Sequence, residues 1–183
     1  SHFESVVQLQ IQRDEVVTGT MDVVGPQMER DLTRILTSAE QDGDMTAAYY
    51  ASLSLRNLML ARLYAFKFLD NNIVEHEERT LAELKELGGN LTTLDREVQN
   101  PQRRAILSEI KEYDQEYETA FREVVDIIYE RNDHVDAYLD VIGPEIATTG
   151  NEIVQSIQAD QDILGPKVQA ANRLAIIVAI IIS

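Results

Sequence analysis

Apolar residues at Phe3, Val6, Val7, Val17, Met21, Val24, Met28, Leu32 and Ile35 recur at the three-and-four spacing of one helical face, which predicts a single long helix over 3–41. Pro26 falls inside it, where it removes a backbone hydrogen bond and presses on the preceding turn, so a kink is expected near Gly25-Pro26. Gln41-Asp42-Gly43-Asp44 reads as a tight turn, with Asp44 able to cap a second helix over 44–71. Within that helix LMLARLYAFKFL (58–69) is apolar on nearly every side, which predicts a helix buried on most of its surface. Asp70-Asn71-Asn72 ends it. A shorter helix is expected over 73–87, closed by Gly88-Gly89-Asn90, with 91–98 helical again after the break. Asn100-Pro101 opens the last helix, proline taking the first position, where its missing N–H costs nothing. Its apolar pattern runs from Ile106 through Gly143-Pro144 to Gly165-Pro166, some 60 residues or about 90 Å.

The pattern is also written twice. FESVVQLQIQRDEVVTGTMDVVGP (3–26) returns as FREVVDIIYERNDHVDAYLDVIGP (121–144), matching at Phe3/Phe121, Arg13/Arg131, Asp22/Asp140, Gly25/Gly143 and Pro26/Pro144, among others. A long-period repeat signifies two copies of one structural unit. Nothing upstream of Phe3 answers the stretch 58–120 that precedes the second copy, so the chain reads as a piece of a two-module protein cut on its N-terminal side.

Taken together, these elements predict an all-α fold. The helices over 44–71 and 73–98 fold back beside the end of helix 3–41 and the start of the last helix to make one four-helix bundle. The remainder of the two long helices runs into a second bundle, which lacks its first two helices in this chain. The expected boundaries are 13–135 for the complete module and 1–12 with 136–173 for the incomplete one.

Composition narrows the partners. A formal charge of −16 over 183 residues argues against nucleic acid and anionic membrane surfaces as general partners. It leaves room for a small anion, because a local arginine cluster sets the field inside a pocket. There is no cysteine, hence no disulfide, thiolate or cysteine-bound metal. Leu174–Ile182 (LAIIVAIII) is too short to span a bilayer as it stands and reads either as a buried helix end or strand, or as the start of a truncated transmembrane helix over 174–183.

Several blocks are familiar in this order: Arg13-Asp14-Glu15, MDVVGP (21–26), LMLARLYAFKFL (58–69), NPQRR (100–104), YETAFREVV (117–125), RNDHVDAYLDVIGPEIA (131–147) and QDILGPKVQAANR (161–173). Together they resemble the helical bimodular sensor domain, the extracytoplasmic part of one group of bacterial methyl-accepting chemotaxis receptors and of some sensor histidine kinases. The resemblance implies two stacked four-helix bundles sharing two long helices, flanking transmembrane helices in the inner membrane, a homodimer, and small organic acids as ligands. The departure is the missing first transmembrane helix and the two leading helices of the proximal module.

Arg62 is the foremost candidate for chemistry. A guanidinium amid apolar neighbours must find an anion, a ligand or a structural acid on another helix, or else reach to water. Arg56 and Asn57 lie about a turn and a half earlier, and counting heights from the 41–44 turn places Arg56 level with Arg30 and Tyr113. Paired arginines suit carboxylates because two parallel N–H donors meet two oxygens. Tyr64, Tyr113 and Tyr117 could add hydroxyl donors, although Tyr113 and Tyr117 at four-residue spacing also fit a plain core role. Asp22 and Asp140 fall in different modules, which speaks against joint acid–base work and for a role at the Gly-Pro break. His76 and His134 lack the Glu-x-x-His spacing of a di-metal bundle, and no nucleophile motif or phosphate loop is present. The sequence therefore points to a non-enzymatic sensor with no metal or other cofactor, or to a module of the same fold that reads a periplasmic binding protein.

Overall fold

Three side-chain caps set the helix boundaries. Asp44 accepts the Ala47 N–H at 3.1 Å and starts α3 (Met45–Asn71), after a turn in which Gly43 takes φ +73°. Asn72, left-handed at φ 56°, closes α3 by donating its Nδ2 to the Phe68 carbonyl. Asn100 accepts from the N–H groups of Gln102 and Arg103 and starts α5 (Pro101–Ile182) with proline at the first position. The computed structural model describes the backbone of residues 2–182 and the side chains of 3–174, 176 and 177. Among these residues the fold is all-helical, without a strand.

The first helical run comprises α1 (His2–Val16), a π-helical turn (Val17–Met21) and α2 (Asp22–Gln41). The irregularity expected at Gly25-Pro26 thus lies a turn upstream, and Pro26 itself sits inside α2. A proline ring presses on the carbonyl four residues earlier, here Asp22, the residue at which the widened turn ends. The Thr18 hydroxyl meanwhile donates to the Asp14 carbonyl at 2.7 Å, a contact that loosens helices locally.

Two sequence expectations are corrected. The break at Gly88-Gly89 does not occur: α4 runs without interruption over Val74–Glu97. Each glycine costs about 1 kcal/mol in a helix, but burying Leu84, Leu87, Leu91 and Leu94 on one face returns roughly 1.5–3 kcal/mol apiece. The stretch 58–69 of α3 is not buried on most sides either. The packed face of α3 carries small residues (Ala47, Ala51 and Ser54, then Ala61 and Ala65 within the stretch) with Leu58 and Phe68, while Met59, Leu63 and Phe66 stand exposed, Phe66 at 69%. Small side chains let α3 approach its neighbours closely, and the bulky ones are left outside.

The chain divides into a first unit ending at His134 and a second beginning at Val135. In the first, α2, α3, α4 and the beginning of α5 share one core that includes Met28, Leu32, Ile35, Phe68, Leu107, Ile110 and Phe121. Phe68 and Phe121 meet edge to face at 5.9 Å. Arg103, almost fully buried, binds Ser38, Asp42 and Asp44 and ties the 41–44 turn to the start of α5. Arg131 gathers Gln10 of α1 and Asn72 at the end of α3.

The second unit is the remainder of α5, with Leu139, Ile146, Ile153, Ile157 and Ile163 exposed along it. The proposed start of a membrane-crossing helix, 174–183, falls mostly on side chains outside the described residues. Among the described residues no helix is long and apolar enough to cross a membrane.

Candidate functional site

Where α1, the π-helical turn and α2 pass α3, the surface opens into a groove of about 580 Å³ within the first unit. The π-helical turn contributes Val17 and Met21 to its wall, and α3 contributes Met59, Leu63, Phe66 and Leu69. An extra residue in a helical turn widens it, and such turns are frequent at functional sites. The polar lining comes from Arg13, Asp14 and Asp22 on the first helical run, Arg62 and Asp70 on α3, and Tyr117 on α5.

Gly25 positions the polar end. A Cβ at that place would lie 3.1 Å from Arg62 Nε and 3.2 Å from Tyr117 Cε2, so a side chain there would push one or both back by a few tenths of an ångström. Arg62 Nη1 donates to Glu29 Oε2 at 2.7 Å, the structural ion pair that the sequence left open as one reading. Tyr117 is only 3% exposed; its hydroxyl makes no hydrogen bond among the described residues and is not one of the buried unpartnered atoms, so it reaches the groove. Burial pushes its pKa above the usual phenol value, Arg62 pulls the other way, and Asp22 adds to the rise. The phenol therefore remains a neutral O–H, with a cation and an anion close by and its free valence at the groove.

At the other end Arg13 is held by Asp14 at 2.5 Å. Its counterpart in the repeat, Arg131, is near enough for the two charges to interact. Burial first, and then the Arg13 charge, lower the Arg131 pKa. Arg131 is bonded to neutral amide oxygens of Gln10, Asn72 and Asn132.

Of the residues proposed from sequence, Arg62 and Tyr117 come together here. Arg56 is exposed on the outer face of α3, and Arg30 is exposed with its guanidinium on Gln27 of its own helix. Asn57 is buried between α3 and α4, where it donates to Glu83 and accepts from Asn90. Tyr113 packs half-buried against the core. Tyr64 turns toward α4, its ring 6.0 Å from His76 with Lys67 and Arg79 over it. The height count from the 41–44 turn ranked residues along the axes but could not say which way each faced. Arg13 and Asp22 were missed as lining residues, because nothing in their local pattern marks a π-helical turn.

No family model matches the chain, and comparison with curated proteins and with solved structures returned no match.

Proposed function

We propose that this chain is the ligand-sensing part of a transmembrane chemoreceptor, and that the groove at the π-helical turn binds a small carboxylate. The reading keeps the bimodular architecture expected from sequence: two stacked four-helix-bundle modules sharing two long helices, the proximal one incomplete here, in the extracytoplasmic space of a homodimer. The observation that carries it is Tyr117. Its ring is buried while its hydroxyl opens on the groove without a protein partner, so a ligand oxygen there can accept from it, with Arg62 beside it as the counter-charge.

The proposed mechanism follows from the same contacts. A carboxylate that draws Arg62 from Glu29 replaces an α2–α3 tie with one that also includes Tyr117 of α5. A ligand shifts an equilibrium only as far as it prefers one helix arrangement, and exchanging the tie supplies that preference. Movement of α5 would then pass along its length to a cytoplasmic signalling domain.

Isothermal titration of the chain with a panel of organic acids tests the site. Binding should be weakened at least about tenfold by Arg62→Ala and by Tyr117→Phe, the loss of one charge-assisted contact each. Acid binding untouched by both substitutions overturns the assignment. A second reading, recognition of a protein partner, is favoured by the exposed Met59, Leu63 and Phe66 on the groove's rim. It predicts that no small acid binds and that Phe66→Ala abolishes capture of a periplasmic binding protein.

A further inference from the structure

The lining of the groove carries two arginines against three aspartates, so a plain anion does not complete it. Both arginines are already answered, Arg13 by Asp14 and Arg62 by Glu29. Asp22 and Asp70 are solvent-exposed at the mouth of the groove and have neither a hydrogen bond nor an ion pair among the described residues. A dicarboxylate would bring two more negative charges to these two. Like charges a few ångströms apart repel by about 1 kcal/mol in bulk water and by several at a partly enclosed site.

Resting on the reading above, we infer that the ligand carries a cationic group beside its carboxylate, as an α-amino acid with an apolar side chain does. Arg62 and Asp22 both act on the Tyr117 hydroxyl, so a positive and a negative group stand close to one free donor. A carboxylate meets Tyr117 and Arg62, and an adjacent ammonium meets Asp22. The apolar side chain lies against Leu63, Phe66, Leu69 and Met21, the wall that a small dicarboxylate would leave wet. Released from Glu29 or shared with it, Arg62 keeps the charge count balanced when a zwitterion enters. A simple acid leaves Asp22 unanswered.

The test uses matched pairs that differ only by the amine: leucine against isocaproate, phenylalanine against hydrocinnamate, alanine against propionate. Isoamylamine serves as the probe that has lost the carboxylate. By titration calorimetry on the whole chain, the amino acid of at least one pair should bind about tenfold or more tightly than its deaminated partner, the value of one charge-assisted contact. Asp22→Asn should shrink that ratio by weakening the amino acid and tightening the acid. Equal or tighter binding of the deaminated acids overturns the inference and leaves the carboxylate site standing. Binding of isoamylamine as tightly as leucine overturns it too, since the carboxylate would then contribute nothing. Failure of every amino acid and every organic acid to bind removes the site itself and this inference with it.

Discussion

Gly25 and Tyr117 approach so closely that a Cβ on the glycine would stand 3.2 Å from Cε2 of the buried ring. The repeat places Gly143 at the same point of the second copy, and there a Cβ meets nothing within 4 Å. One motif thus has two fates, a packing contact in the first unit and an open helix surface in the second.

That contact gives a stability prediction. Alanine in place of a helical glycine gains about 1 kcal/mol from reduced backbone freedom, and Gly89, with open space around it in α4, should show that gain. Gly25→Ala should gain nothing or lose slightly, because the Tyr117 ring is walled in by the core. Gly25→Val should lose about 1–3 kcal/mol by overpacking. Urea denaturation of the three variants checks this, and equal stabilisation by Gly25→Ala and Gly89→Ala would show that the ring has room to move.

Arg103 offers a second test. It binds Asp42 at 2.7 Å and Asp44 at 3.1 Å while almost fully buried, so its removal leaves two carboxylates facing each other across a turn. Asp44 also caps α3. Arg103→Met should therefore cost about 2–3 kcal/mol, less than a wholly buried pair because Asp42 is half-exposed. Lysine should restore little, since one ammonium cannot span both acids and Ser38 as the planar fork does. Thermal melts that place the lysine variant level with the native chain would refute the spanning role.

The long helical run over 2–41, the Asp44 and Pro101 starts and the long final helix were legible because caps, proline and periodicity are local signals. What was not legible depended on partners. Gly88 and Gly89 read as a stop until Leu84, Leu87, Leu91 and Leu94 are seen to hold the helix together from one face. Stretch 58–69 read as buried because it is apolar all round, and only packing shows that its small face was chosen. At the site, Arg62 stood out as a cation among apolar residues, whereas Arg13 and Asp22 flank a π-helical turn that no residue pattern announces.

Asn57 and Arg62, taken together from sequence as one site, should separate in experiment. Asn57 is 2% exposed and its amide is used twice, toward Glu83 and from Asn90, with Arg79 on the far side of Glu83. Asn57→Leu leaves Glu83 Oε2 and the Asn90 amide without their partner, while Arg79 still holds Oε1, and should cost about 2–3 kcal/mol of stability. Arg62→Ala breaks a partly exposed pair and should cost about 1 kcal/mol or less. Ligand affinity should respond in the reverse order. A calorimetric series in which Asn57→Leu, still folded, weakens binding more than Arg62→Ala would place the site elsewhere.

The pH dependence of stability should be governed in part by Asp114. Its Oδ1 is buried without a partner, and Oδ2 lies 3.6 Å from the point a Cβ on Gly88 of α4 would occupy. Lys111, one turn before it on α5, is occupied by Asp95 of α4, and Glu118 one turn after it adds a like charge. Burial, with Glu118 second, raises the Asp114 pKa from 3.8 to about 7. The folded chain therefore holds this proton more tightly than the unfolded chain, so unfolding releases it between about pH 4 and 7. Across that window the Asp114 contribution makes stability fall as pH rises, and above about pH 7 the penalty is complete and constant. Asp114→Asn should raise stability by about 2–4 kcal/mol above pH 7, with the gain fading to nothing near pH 4. Glu118→Gln should move the midpoint of the native chain's fall toward lower pH. Urea midpoints measured along a pH series decide it: a difference between native and Asp114→Asn chains that stays flat with pH would mean the carboxylate is ionised throughout, with water reaching Oδ1.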